Sequence, residues 1–170
     1  MPPLSASDTT PHFAVIVMGV SGCGKSTLGS LLGTALDAPF LEGDDFHAPE
    51  AVAKMRAGQA LTDDDRWPWL DRIGVAANAA ITDRGRTVIA CSALRAAYRA
   101  RLRAAMAAPV RFILLENSRE RLLARLAVRA DHYMPTSLLD SQLATLERPD
   151  EDEGAMILTT DADPCALRDA

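Results

Sequence analysis

The sequence predicts an α/β domain, a parallel sheet with helices on both faces. Three observations carry that expectation. Short β-branched apolar runs alternate with segments of helical period from end to end. The first run, Phe13–Met18, is apolar throughout, as in a strand covered on both faces. A glycine-rich turn then leads directly into a helical segment.

Each element has its own reason. Behind the turn, Leu28, Leu31, Leu32 and Leu36 recur at helical spacing and form one apolar stripe. A short strand at 39–41 runs into Glu42-Gly43-Asp44-Asp45, where Asp45 suits a cap for the next helix. Pro49 opens that helix and Gly58 closes it. Thr62 and three aspartates lead into a helix that accepts Pro68 in its first turn, runs to about Asp83 and breaks at Gly85. A third strand covers 87–91. Ser92 can cap the following helix, which carries Leu94, Tyr98, Leu102 and Met106 and stops at Pro109. A fourth strand spans 110–115, and Ser118 caps a helix over 119–129. A loop at 131–135 precedes a helix over 137–146, with Ser137 and Asp140 at capping-box spacing. An acidic turn at 149–154 comes before the fifth strand, 156–159.

Composition narrows the function. The 170 residues are 48% apolar and 24% charged, which excludes disorder throughout and fits one domain. A net charge of −5 argues against general nucleic-acid binding. Cys23, Cys91 and Cys165 form no C-x-x-C pair and read as reduced thiols of a cytoplasmic protein. No apolar run approaches the ~20 residues of a membrane span. Residues 1–11 lack a basic stretch and read as a disordered leader, leaving 12–170 as the domain.

Gly19-Val20-Ser21-Gly22-Cys23-Gly24-Lys25-Ser26 fits G-x-x-x-x-G-K-[ST] at every fixed position, between a strand and a helix. The glycines let successive N–H groups turn inward, and the helix start adds the positive end of its dipole. Lys25 is expected on the β- and γ-phosphates and the Ser26 hydroxyl on Mg²⁺, with Thr27 on the helix surface or at the α-phosphate. No N-K-x-D signature of a nucleotide switch occurs, and the chain is short for a motor ATPase. A small-molecule kinase remains.

The acids after the second strand fit that reading, because ligands of open α/β sheets bind at the strands' C-terminal edge. Asp44 is the candidate base or orienting group for an attacking hydroxyl, and Glu42 the candidate on the metal side. In Asp63-Asp64-Asp65-Arg66 the acids complement a helix dipole, but a cation at a helix start does not, so Arg66 is a candidate partner for a substrate carboxylate or for one of these aspartates. Ser92-Ala93-Leu94-Arg95 brings a hydroxyl and a cation to the same edge, with Arg99 a turn further on; Arg101 and Arg103 read as a solvated face. Arg125 and Arg129 are candidate lid arginines, or cations balancing a helix C-terminus.

Six segments together resemble the gluconate kinase family: GVSGCGKST at 19–27, FLEGDDFH at 40–47, KMRAGQALTDDDRWPWL at 54–70, CSALRAAYR at 91–99, RADHYMP at 129–135 and SLLDSQLATLE at 137–147. The resemblance implies a P-loop NTPase fold of the shikimate kinase and nucleoside monophosphate kinase type, with strand order 2-3-1-4-5 and a mobile lid around 125–136. It implies phosphorylation of the 6-hydroxyl of D-gluconate by ATP with Mg²⁺, in a cytoplasmic homodimer. By the same likeness Gly22, Cys23, Gly24, Lys25, Ser26 and Thr27 hold the ATP phosphates. Asp44, His47, Arg66, Arg95 and Gln142 fall to the substrate, and Arg125 and Arg129 to the lid and adenine side. Glu42 stands where the family more often has Asp, and the final helix after Asp163 is expected to be a stub. Two alternatives remain: a shikimate- or nucleotide-type kinase, and a nucleotide-binding regulator that needs no Asp44.

Overall fold

The computed structural model describes residues 10–128 and 135–159. Five parallel strands form one sheet in the order β2-β3-β1-β4-β5. They are β1 (Phe13–Met18), β2 (Phe40–Glu42), β3 (Arg86–Ala90), β4 (Val110–Glu116) and β5 (Met156–Thr159). The helices are α1 (Lys25–Ala35), α2 (Pro49–Arg56), α3 (Asp63–Arg84), α4 (Ala96–Ala105), α5 (Arg119–Val128) and α6 (Thr136–Thr145). The expected order and alternation are both present.

Side chains of β1 alternate between two cores, as the two-residue period of a strand requires. Ala14, Ile16 and Met18 pack with Trp69, Leu70 and Ile73 of α3 and Tyr98 and Leu102 of α4. Val15 and Val17 pack on the other face with Leu28 of α1, Leu122 of α5 and Leu139 of α6. A strand in this position must be apolar at every residue, because neither face meets water.

Some expected caps hold and others do not. The Ser118 hydroxyl accepts the Arg121 N–H at 3.3 Å, as expected. Thr62 and Asp65 complete a capping box on α3. Asp45 is no helix cap: the chain makes a 3₁₀ turn at Gly43–Phe46, and α2 starts later, behind Ala48. Ser92 caps nothing either, since α4 begins behind Arg95, and the Ser92 carbonyl instead accepts the Gly19 N–H at 3.2 Å. At α6 the cap position is Pro135, and Asp140 forms a two-bond pair with Arg119 at 2.7 and 3.1 Å. In each case the short-range partner lost to tertiary contacts or to a backbone turn. Residues 1–9 of the leader, residues 129–134 of the expected lid, Arg129 among them, and the terminal stub lie outside the described residues.

Candidate active site

The C-terminal ends of β1, β2 and β3 carry the three parts of the site. After β1, Gly19, Gly22 and Gly24 have φ of 140°, 81° and 99°, a region that disfavours any side chain. Gly24 is the N-cap of α1, and no side chain caps the first N–H groups of that helix. Open amides at a helix start, with no acid in the first turn, fit a polyphosphate. Lys25 Nζ donates to the Val20 carbonyl at 3.0 Å, folded over the loop. The Cys23 side chain is fully buried and packs with Val17, Val20 and Leu28. Ser26 and Thr27 are exposed. From behind, Arg125 Nη1 donates to the Cys23 carbonyl at 3.2 Å and the Gly22 carbonyl at 3.4 Å.

After β2, the Ser26 hydroxyl donates to Glu42 in a short hydrogen bond. Two hard oxygens meeting at the loop fit Mg²⁺, which keeps several waters and takes few protein ligands. Gly43 lies so close to β3 that a Cβ would run into the Ala90 carbonyl oxygen. Its own carbonyl accepts Trp69 Nε1–H at 2.7 Å. This limb is thus pinned to the sheet edge, and Asp44 projects from it with 78% of its side chain exposed. His47, by contrast, is buried, stacked on Trp69 at 4.2 Å. Burial lowers its pKa, the Asp44 charge opposes this, and Arg66 and Arg72 lower it further. Its Nε2 lies 3.8 Å from the Asp44 carboxylate, and neither residue is among those that line the cavity described next.

After β3, an open cavity of about 330 Å³ is lined by residues that include Thr62, Asp63, Arg66, Arg95, Tyr98 and Glu147. Arg95 is held by Asp63 at 3.0 Å and by Glu147 at 3.3 Å. Tyr98 OH donates a short hydrogen bond to Asp63 and accepts one from Arg66 Nη1 at 2.7 Å. The bond from Tyr98 is the main reason the Asp63 carboxyl lies below its ordinary pKa, while burial pushes the phenol up. Arg66 makes only this one hydrogen bond among the described residues, so the rest of its fork is available to an anion.

Three arginines take places the sequence does not reveal. Arg99 is fully buried: it grips Glu153 through two bonds at 2.6 and 2.7 Å and donates to the Ala93 and Leu94 carbonyls at 3.1 and 3.3 Å. Those carbonyls belong to the loop that carries Arg95, where Ala93 has a φ of 43°. Arg101 and Arg103 are not simply solvated. Arg101 pairs with Asp71 at 2.8 Å and Arg103 with Glu153 at 3.4 Å. Gln142 lies at the phosphate loop, its Oε1 accepting the Ser21 N–H at 2.8 Å. Sequence reasoning missed Asp63, Tyr98, Glu147 and Glu153. Tyr98 sits at an apolar position of α4, and its period announces the ring and not the hydroxyl.

A phosphate loop on a helix start, a carboxylate at the next strand end and an arginine-lined cavity beside them define a P-loop kinase for a small acceptor. The chain matches the family described as AAA domain over residues 15–149. It is 42% identical over 156 residues to the gluconokinase of Arabidopsis thaliana, covering 85% of this chain and 82% of that one. It is 43% identical over 154 residues to the gluconokinase of Gluconobacter oxydans, covering 91% and 85%. The crystal structure of a gluconokinase from Sinorhizobium meliloti 1021 superposes with a TM-score of 0.82 at 40% identity, covering 92% of this chain and 87% of that one. The chain belongs to the gluconokinase family, enzymes that transfer phosphate to an alcohol group.

Proposed function

We propose that this chain transfers the γ-phosphoryl group of ATP to the 6-hydroxyl of D-gluconate. The observation that carries the reading is the cavity at the end of β3, where Arg66 keeps donors to spare beside a hydroxyl, two carboxylates and a second arginine. A polyhydroxy acid needs that mixture: a cation for its carboxylate and alternating donors and acceptors for its hydroxyls. Arg66 holds the carboxylate end, while Asp63, Tyr98 and Arg95 meet the hydroxyl chain. Asp44, exposed at the sheet edge, orients the terminal hydroxyl and takes its proton as the oxygen attacks phosphorus and the bond to ADP breaks. Lys25 and the α1 amides hold the phosphates in line, Thr27 faces the α-phosphate and Arg125 steadies the loop from behind. Arg129, which lies outside the described residues, supplies a further cation in the same proposal.

Ser26 and Glu42 would hold Mg²⁺, which when bound neutralises charge on the β- and γ-phosphates. A homodimeric state and a cytoplasmic location belong to the same proposal. Among the described residues no helix is long and apolar enough to cross a membrane.

The test is ADP release by purified protein with Mg-ATP and D-gluconate, shikimate, AMP or no acceptor. Turnover with gluconate alone is expected. Turnover with shikimate or AMP would reassign the cavity, and ATP binding without any turnover would favour the regulator.

A further inference from the structure

We propose that Gln142 is a catalytic residue, its side-chain amide donating a hydrogen bond to the phosphoryl group in transfer. The inference rests on the kinase reading above and gives that site a donor of its own.

Gln142 lies on α6, far from the phosphate loop in sequence, yet its Oε1 accepts the Ser21 N–H at 2.8 Å. A side-chain amide has an acceptor end and a donor end, and a backbone N–H can meet only the oxygen. The contact therefore fixes which way the amide is turned and leaves Nε2 off the loop. Among the described residues no protein group accepts from that nitrogen.

Position decides what the two free N–H groups serve. Ser21 follows Val20, whose carbonyl holds Lys25 Nζ at 3.0 Å. Lys25 is the group that reaches the β- and γ-phosphates, whereas the α1 amides cradle the inner phosphates. Gln142 thus stands at the γ end of the cradle. Charge in phosphoryl transfer spreads over the equatorial oxygens of the moving group, and a donor already fixed in place stabilises that charge without reorganising.

A residue that only props the loop needs its oxygen; a residue that donates needs its nitrogen. Gln142→Glu separates the two, because the carboxylate still accepts the Ser21 N–H but presents an anionic oxygen where the donors were. Gln142→Leu removes both ends. We expect kcat to fall on the order of 10²-fold in each, with Glu at least as damaging as Leu. Gln142→Glu should keep the wild-type Tm and ADP affinity while its ATP affinity drops, since only ATP carries a γ-phosphate. Wild-type kcat in Gln142→Glu, or equal loss of ATP and ADP affinity, would overturn the proposal and leave Gln142 a strut. The nucleotide comparison needs no acceptor. Protein that binds ATP but ignores gluconate would therefore break the substrate reading while this test still gives its answer.

Discussion

The phosphate-binding limb and the acceptor cavity are built by opposite means. The limb is made of backbone: three glycines at positive φ, a helix start left uncapped and a strand end pressed against its neighbour. The cavity is made of paired side chains: Asp63 with Arg95 and Tyr98, Glu147 with Arg95, and Glu153 with Arg99 behind them. Backbone donors do not choose among phosphates, so the limb can serve any nucleoside triphosphate. Fixed side-chain pairs present one pattern of charge and hydroxyl, so discrimination of the acceptor resides in the cavity. Behind the cavity, Arg99 and Glu153 are taken out of water, which is tolerable only while each keeps its partner.

Substitutions can break this contrast at several strengths. The largest effect is expected at Asp44, the exposed carboxylate just after β2. Asp44→Asn should lower kcat by on the order of 10²–10⁴, the range for a general base, with both KM values nearly unchanged. Steady-state kinetics would show Asp44 to be a mere positioning group if only KM moved.

Glu153→Ala comes next and acts on stability. It strands the fully buried Arg99, and removing one partner of a buried pair should cost about 3 kcal/mol. Urea unfolding reads this directly. Arg99 would not be the clamp of the Ala93–Leu94 turn if the variant unfolded like the wild type.

Arg66→Ala sharpens the division between regions. Loss of a charge-assisted contact to the acid should raise KM for gluconate roughly 10- to 100-fold and leave ATP affinity alone. A fall in ATP affinity would move Arg66 to the nucleotide side.

The smallest effect is at Asp65, on the rim between α2 and α3. Hydrogen bonds from Lys54, then from Thr62, hold its carboxyl at about 2 against an ordinary 3.8. Because folding lowers this pKa, the stabilisation is complete above about pH 4 and is lost as the pH falls toward 2. The wild type should therefore lose more Tm than Asp65→Asn across that interval, and parallel Tm curves would discount the pair.

Sheet order apart, the strands, helices and phosphate loop were legible from the residues alone. Strand apolarity and helical period are local patterns, and the loop is a spacing of glycines that any solvent-facing strand-to-helix turn of this kind shares. The strand order came through resemblance, since period carries no information about which strands adjoin. The caps expected at Asp45, Ser92 and Ser137 failed for one reason: a short polar side chain can cap many turns, and only the finished chain path decides whether a helix begins there. Arg66 was legible because a cation at a helix start contradicts the dipole. Arg99 carried no such sign and was open to a substrate role, although it is the most deeply buried charge in the described chain.

By itself, then, the sequence determined the layered α/β class, the phosphate loop with Lys25 and Ser26, and the acids at the end of β2. These depend on backbone conformation and on neighbours a few residues away. Only the tertiary structure decided which arginine keeps donors to spare in the cavity and which is spent on a carboxylate, that the Tyr98 hydroxyl joins the cavity, and that Gln142 sits on the phosphate loop. Those contacts join residues 32 to 121 positions apart. A charge or an amide has no partner until folding brings one within hydrogen-bond reach, and no periodicity in the chain records that choice.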